Sequence, residues 1–149
     1  MEERESRLRY ALIVQYDGTR YSGFQIQHNA NAIQHELEKA IKILTREDVR
    51  IAAAGRTDAG VHALGQVIHC DLSKHIPLEK MCIGLNGILP ADIAIKKAFN
   101  VDSNFHARYS AVAREYSYVL YNNRYKSPFM LYRALWVREP VDIAFLKEA

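Results

Sequence analysis

Leu-Arg-Tyr-Ala-Leu-Ile-Val-Gln-Tyr, residues 8–16, is the stretch from which the fold can be inferred. Its alternate residues fall on one side of a period-two pattern: Leu8, Tyr10, Leu12, Val14 and Tyr16. Such alternation is typical of a β-strand with one buried face, because successive side chains of a strand point to opposite faces of the sheet. Asp17-Gly18 then supplies a turn signal. The sequence therefore predicts a first strand that ends at Tyr16.

Two helices are predicted downstream of this strand. Asn31 is a good N-cap residue, and Gln34 stands at the spacing of a capping box. A second, shorter helix is expected to open at Pro77 and to close at Asn86-Gly87. The first helix has apolar residues at helical spacing: Ile33, Leu37, Ala40, Ile41 and Leu44.

Three further strands complete the pattern. They are predicted over residues 49–55, 66–72 and 93–99, where apolar runs are bounded by glycine or polar connections. The order is strand, helix, strand, strand, helix, strand, which is the ferredoxin-like βαββαβ arrangement of an α+β fold. We therefore expect an antiparallel sheet with both helices on one face and the other face left free.

The remaining residues are predicted to begin a second, similar half. Strands are expected over residues 112–121 and 131–137, and a helix is expected to start at Pro140-Val141-Asp142. Because the chain stops about two turns into that helix, we expect it to be truncated. The predicted division is a ferredoxin-like domain over residues 1–104, followed by the start of the second half over residues 105–149.

Composition favours a globular chain with an apolar core. The 149 residues are 49% hydrophobic, and 20 Lys and Arg against 17 Asp and Glu give a formal net charge of +3. That mild excess is compatible with a polyanionic partner. No segment resembles a signal peptide or a membrane span, so a cytoplasmic protein outside the membrane is expected. Cys70 and Cys82 are too few for a disulfide framework and are expected to be buried reduced thiols.

The most distinctive segment for chemistry is Ala-Gly-Arg-Thr-Asp-Ala-Gly-Val-His-Ala, residues 54–63. Gly55 and Gly60 bracket an arginine and an aspartate, and glycine lets a ligand approach the backbone closely. Arg56 can keep the Asp58 carboxylate ionised, and an ionised, positioned carboxylate can act as a nucleophile or a base. On spacing alone, the simpler interpretation is a polar hairpin turn in which Asp58 bonds to its own backbone and Arg56 faces water.

This segment closely resembles the signature loop of the tRNA pseudouridine synthase A (TruA) family, whose catalytic aspartate sits in a Gly-Arg-Thr-Asp-Ala-Gly-Val-His run. Three more blocks resemble the family in the same order and at similar spacing. They are the segment from Tyr16 to Gln27, with Phe24 where tryptophan is more usual, residues 105–111, and residues 114–118. The four blocks spread over nearly the whole chain, which therefore resembles the N-terminal portion of that family.

Carried over by position, the resemblance implies that Asp58 is the catalytic aspartate and that Tyr116 packs against the target base. Arg56 becomes the electrostatic partner of Asp58. The implied reaction turns uridine into pseudouridine: the bond between ribose C1′ and base N1 breaks, the base turns, and C5 forms the new bond. No cofactor is implied. The carboxylate can attack C1′ or remove a proton from C2′, and the sequence does not separate these two routes.

The implied partner is tRNA, modified in the anticodon stem-loop at positions 38 to 40, and the family works as a homodimer. A uridine within a stem must leave the base stack to be reached, so we expect cations that hold the RNA backbone. His106, Arg108 and Arg114 are candidates for phosphate contacts, or else are ordinary charges at strand ends.

Other functions compete for the same residues. A non-catalytic RNA-recognition module shares the element order, but its third strand should carry closely spaced aromatics, and residues 66–72 have none. A phosphoryl-transfer or hydrolytic enzyme using Asp58 should bring a second acidic motif for magnesium, which the sequence lacks. His62 and His69 have no third ligand at a telling distance, so no metal is expected. A further alternative is a catalytically incomplete fragment that acts only as an RNA-binding domain.

Overall fold

The computed structural model describes residues 6–148, which belong to two compact units. The first unit extends to Arg114 and carries a four-stranded sheet and two long helices. The second unit begins at Glu115 and carries a two-stranded sheet and one short helix. Within residues 6–148, no helix has both the length and the apolar composition needed to cross a bilayer.

The four-stranded sheet of the first unit has the predicted topology. Its strands are β1 (Leu8–Tyr16), β2 (Ala52–Ala53), β3 (Ala63–Leu72) and β4 (Ile93–Val101). They lie in the order β2-β3-β1-β4, and every neighbouring pair is antiparallel. Two helices, α1 (Ile33–Thr45) and α2 (Leu78–Ile88), form the connections from β1 to β2 and from β3 to β4. This confirms the ferredoxin-like α+β fold.

The core lies between one face of this sheet and the two helices. On β1 the alternate residues from Tyr10 to Tyr16 are buried as predicted, whereas Leu8 is partly exposed at the strand end. Burying each large aliphatic side chain contributes about 1.5–3 kcal/mol, so this layer dominates the stability of the unit. The helices contribute Ile33, Leu37, Ala40, Ile41, Met81 and Leu85 to the core.

The start of α1 differs from the predicted capping box. The N-cap residue is Ala32, and no side chain caps the helix at that position. The first two helical N–H groups donate to the backbone carbonyls of Gly23 and Phe24, at 3.2 and 2.9 Å. Donors at a helix start need a partner of some kind, and here a neighbouring segment supplies it. The predicted pairing of Asn31 with Gln34 is therefore wrong.

Several bounds of the other elements also differ from the predictions. β2 covers two residues instead of 49–55, because it is an edge strand whose ladder with β3 ends at Ala53. β3 begins at residue 63 instead of 66. α2 continues to Ile88 through the predicted stop at Asn86-Gly87, and the Asn86 side chain bonds to the backbone of Ile95 on β4 instead of ending the helix.

The second unit contains much less regular structure than predicted. Its strands β5 (Leu120–Asn122) and β6 (Leu135–Val137) pair in parallel over three residues each, and α3 covers Ile143–Glu148. The predicted strands over 112–121 and 131–137 are therefore too long. Tyr116 and Tyr118 are exposed, so burial of their side chains does not stabilise a strand at these positions. Two 3₁₀ turns, Gly18–Arg20 and Pro128–Met130, complete the described elements.

Both cysteines are free thiols, as expected from the sequence. Cys70 is buried and Cys82 is half-buried. Burial raises the pKa of the Cys70 thiol to about 12, which keeps it protonated at neutral pH. Cys70 therefore contributes to the core as a small apolar side chain.

Candidate active site

Asp58 lies in the connection between β2 and β3, residues 54–62, which we call the Asp58 loop. The N–H of Val61 donates to the Asp58 carbonyl at 3.2 Å, so residues 58–61 form a turn. Gly60, the third residue of that turn, has a φ of 78°, in the region that favours glycine. The residue carrying the carboxylate is exposed, and no hydrogen bond or ion pair engages that carboxylate within the described residues. The turn therefore presents the carboxylate to solvent.

Arg56 is also exposed on this loop. Over residues 6–148, its guanidinium forms no ion pair with Asp58. Arg56 and Asp58 are separated by one position and both are exposed. The Arg56 guanidinium is therefore available to bind an anion next to the Asp58 carboxylate. The electrostatic partnership of Arg56 with Asp58 stays a prediction.

Thr57, which precedes the carboxylate residue, is held by the segment that follows β1. Its hydroxyl lies 2.7 Å from the phenol oxygen of Tyr16, a buried residue. Its carbonyl accepts a hydrogen bond from the N–H of Phe24 at 2.9 Å. Gly23 has a φ of 102°, and a Cβ atom there would lie 2.9 Å from the same carbonyl. These contacts fix the backbone of Asp58 from one side.

The far end of the Asp58 loop is held by the same segment. The N–H of Gly60 donates to the carbonyl of Tyr21 at 3.2 Å, and the Tyr21 hydroxyl donates to the Asp92 carboxylate at 2.6 Å. Burial, together with that hydrogen bond, raises the pKa of Tyr21, so its phenol remains a donor. His62 Nδ1 accepts from the N–H of Gly18 at 2.9 Å. The segment from Tyr16 to Gln27 therefore contacts the far end of the Asp58 loop.

The near end of the loop is held by two side chains. The Gln66 carboxamide bonds to both backbone polar groups of Gly55, and the Arg114 Nε donates to the Ala54 carbonyl at 2.7 Å. Arg114 also donates to the Arg108 carbonyl at 3.0 Å. Arg114, a candidate for phosphate contacts, therefore uses two of its N–H groups for hydrogen bonds within the first unit.

Sequence reasoning did not select Gln66 as a functional residue. A signal was available, because Gln66 is polar at a position whose alternate neighbours along β3 are apolar: Ile68, Cys70 and Leu72. A polar residue on a buried strand face needs hydrogen-bond partners, and the partners here are in the Asp58 loop.

His106 and Arg108 lie together after β4, and the Arg108 carbonyl is joined to the Asp58 loop through Arg114. The His106 ring stacks on Tyr109 with 4.3 Å between ring centres, and the Arg108 guanidinium lies 5.8 Å from the same tyrosine ring. Arg108 and Tyr109 are exposed. An exposed aromatic ring can stack on an unpaired base, and a neighbouring cation can contact the RNA backbone. The phosphate role of His106 and Arg108 stays a prediction.

His69 makes a structural contact with the segment that follows β4. It is buried, and its Nδ1 accepts from the N–H of Ala107 at 3.1 Å. Burial, with help from the nearby Arg9 and His106, lowers the pKa of His69 and favours the neutral ring. In the part of the chain that the structure describes, no three His, Cys, Asp or Glu residues form a group able to hold a metal ion.

Tyr116, the predicted partner of the target base, belongs to the second unit. The residue is 63% exposed. An exposed phenol ring is available to stack on a base, and its role stays a prediction.

Comparison with known proteins identifies the family. A family model described as tRNA pseudouridine synthase matches residues 12–110. The chain is 45% identical over 123 residues to tRNA pseudouridine synthase A of Glaesserella parasuis serovar 5 (strain SH0165), covering 83% of this chain and 47% of the relative. It is 49% identical over 129 residues to tRNA pseudouridine synthase A of Dictyoglomus thermophilum (strain ATCC 35947 / DSM 3960 / H-6-12), covering 85% and 53%.

A third relative, tRNA pseudouridine synthase A 1 of Protochlamydia amoebophila (strain UWE25), is 44% identical over 141 residues, covering 94% of this chain and 55% of the relative. The chain thus spans about half the length of the curated relatives it matches. The matched residues 12–110 include the last five residues of β1, the Asp58 loop and His106. The chain therefore belongs to the tRNA pseudouridine synthase family.

Proposed function

We propose that this chain is the N-terminal portion of a tRNA pseudouridine synthase and that Asp58 is its catalytic carboxylate. The observation that carries the proposal is the exposed Asp58 residue on a loop whose backbone is anchored at Gly55, Thr57 and Gly60. A carboxylate on a fixed backbone can be held against a ribose without first losing the freedom of a mobile loop. The same segment lies inside the residues that match the family.

The reaction assigns one task to each group. The Asp58 carboxylate either attacks ribose C1′ or takes a proton from C2′, and in both routes the bond from C1′ to N1 breaks. The base turns while it remains bound, and C5 joins C1′ as the bond from Asp58 to C1′ breaks or, in the other route, as C2′ regains its proton. C5 loses a proton and N1 gains one, so the product is an isomer of uridine. Tyr116 receives the target base on its ring, and Arg56 supplies positive charge beside the carboxylate. These two roles are proposed from the sequence blocks, and both residues are exposed.

The proposed substrate is the anticodon stem-loop of tRNA, at positions 38 to 40. The relatives are named tRNA pseudouridine synthases, which supports tRNA as the substrate class. His106 and Arg108 then contact the RNA backbone, and Arg114 supports the loop. Action as a homodimer in the cytoplasm is proposed from the resemblance to the TruA family alone.

The test is release of tritium from an anticodon stem-loop RNA labelled at uridine C5. Tritium leaves as C5 forms the new bond, so its release reports the isomerisation itself. We expect release by the parent chain and none by Asp58→Ala. RNA binding without release would favour the alternative of a catalytically incomplete RNA-binding fragment. An absence of both binding and release would contradict the proposed function of this chain.

A further inference from the structure

Gln66 joins β3 to the start of the Asp58 loop through two hydrogen bonds. Its Nε2 donates to the Gly55 carbonyl at 2.8 Å, and its Oε1 accepts from the Gly55 N–H at 3.3 Å. The ladder between β2 and β3 ends at Ala53, and one further bond joins the Ala54 N–H to the Val67 carbonyl at 2.8 Å. The Gln66 side chain thus continues the pairing where the backbone ladder stops.

The burial of Gln66 shows that this pairing is specific. The residue is 9% exposed and lies opposite Val14 in the register of β3 with β1. A buried carboxamide is costly unless its donor and acceptor both find partners, and both find them in the same glycine. An apolar residue would pack at this position without that cost. The carboxamide is therefore matched to the backbone of Gly55.

Gly55 is the position at which the loop would otherwise be free to turn. Glycine has the widest backbone freedom of any residue, and Asp58 follows three positions later. With both polar groups of Gly55 fixed, the direction in which the loop leaves the sheet is fixed as well. The anchors at Thr57 and Gly60 hold the middle and far end of the same loop.

We propose that Gln66 is a positioning residue for the reaction, acting through Gly55 on the placement of the Asp58 carboxylate. The inference rests on the proposed function of Asp58. A displacement of about 1 Å in a catalytic group can cost on the order of 100-fold in rate. Loss of the carboxamide therefore lowers kcat roughly 10- to 100-fold and leaves KM nearly unchanged, because Gln66 is buried and does not bind substrate.

Asn86 offers a control with the same pattern of hydrogen bonds, at an exposed position, whereas Gln66 is buried. Its carboxamide makes the same two bonds to a single residue, donating to the Ile95 carbonyl at 2.9 Å and accepting from the Ile95 N–H at 2.8 Å. That pairing joins α2 to β4 and does not touch the Asp58 loop. Asn86→Leu removes a carboxamide clamp elsewhere in the same unit, so it reports the effect of a purely structural loss.

The experiment compares the parent chain, Gln66→Met and Asn86→Leu by steady-state tritium release and by hydrogen exchange of the Gly55 amide. Gln66→Met is expected to speed Gly55 exchange by about 10-fold or more and to lower kcat, whereas Asn86→Leu changes neither in the folded protein. Unchanged exchange at Gly55, or an equal fall in kcat for both variants, would overturn the proposal. If the parent releases no tritium, the proposed function fails, and Gly55 exchange still decides whether Gln66 fixes the loop.

Gln66→Glu adds a readout that a merely structural role would not move. A neutral carboxyl can donate to the Gly55 carbonyl and accept from its N–H, as the carboxamide does, whereas an ionised carboxylate cannot donate. We expect the kcat of this variant, relative to the parent, to recover as pH falls through the pKa of the introduced carboxyl. A ratio that does not change with pH would contradict positioning by these two bonds.

Discussion

The hydroxyl oxygens of Tyr16 and Thr57 lie 2.7 Å apart, and this contact joins the end of β1 to the residue that precedes Asp58. Thr57→Val keeps the shape of the side chain and removes the hydroxyl. We expect a loss of about 1 kcal/mol in the free energy of unfolding, and a fall in kcat because the carboxylate loses an anchor. Chemical denaturation and tritium release measure the two effects.

Thr45→Val is the control for that substitution. Near the end of α1, the Thr45 hydroxyl donates to the Ile41 carbonyl at 2.8 Å and accepts from the Glu47 N–H at 3.1 Å. Its loss should lower stability at least as much as Thr57→Val without changing the kcat of the folded fraction. A kcat reduced equally by both substitutions would argue against a specific role for the contact between Tyr16 and Thr57.

Alanine substitutions at Gly23 and Gly60 distinguish the effect of backbone strain on stability from the effect of a close contact. Both have positive φ, 102° and 78°, but a Cβ would lie 2.9 Å from the Thr57 carbonyl at Gly23 and would meet nothing within 4 Å at Gly60. Gly23→Ala should therefore lower the melting temperature more than Gly60→Ala, whose cost is about 1 kcal/mol of strain alone. Equal melting temperatures would show that the loop does not press against Gly23.

His69 predicts a pH dependence of stability. Its folded-state pKa is depressed, so its contribution is present above the unfolded value of 6.5 and is lost as pH falls through the folded pKa. Protonation would also remove the acceptor for the Ala107 N–H. The parent should lose more melting temperature than His69→Asn between about pH 7.5 and about pH 5.5. Parallel curves for the two proteins would contradict this assignment.

Arg108 and Arg114 should differ in how they affect RNA binding. Both arginines are exposed, but the Arg114 guanidinium donates to the carbonyls of Ala54 and Arg108. Arg108→Gln should therefore reduce the salt dependence of stem-loop binding by about one unit of slope, and Arg114→Gln should leave the slope unchanged while lowering stability. Titrations at several salt concentrations measure the slopes. The reverse order would assign the phosphate contact to Arg114.

Much of the fold follows from local pattern. The alternation in residues 8–16 predicts β1 and its buried face, and helical spacing predicts α1 and α2, because each pattern depends on neighbours along the chain. The cap at Asn31 failed because the partners of the helix start come from Gly23 and Phe24. The long strand over residues 112–121 failed because β-propensity alone does not provide a sheet neighbour.

The sequence selected the residues of the candidate site, whose roles stay predictions, but it did not reveal the contacts that support them. The run around Asp58 and its resemblance to a family selected the carboxylate, Arg56 and Tyr116. The contacts of Thr57 with Tyr16 and of Gly55 with Gln66 join residues 41 and 11 positions apart, so they depend on how β1, β2 and β3 align. Such long-range contacts depend on the register of the strands, so they cannot be predicted from the spacing of residues along the sequence.

The most direct test of the central claim is the rate of tritium release by Asp58→Asn, which removes the negative charge and keeps the shape of the side chain. Asp48→Asn makes the same change at a carboxylate that is 82% exposed and paired with Lys42, so it serves as the control. We predict that Asp58→Asn lowers the rate by roughly 1,000-fold or more while Asp48→Asn matches the parent. Release by Asp58→Asn at the parent rate would contradict the assignment of Asp58 as the catalytic carboxylate.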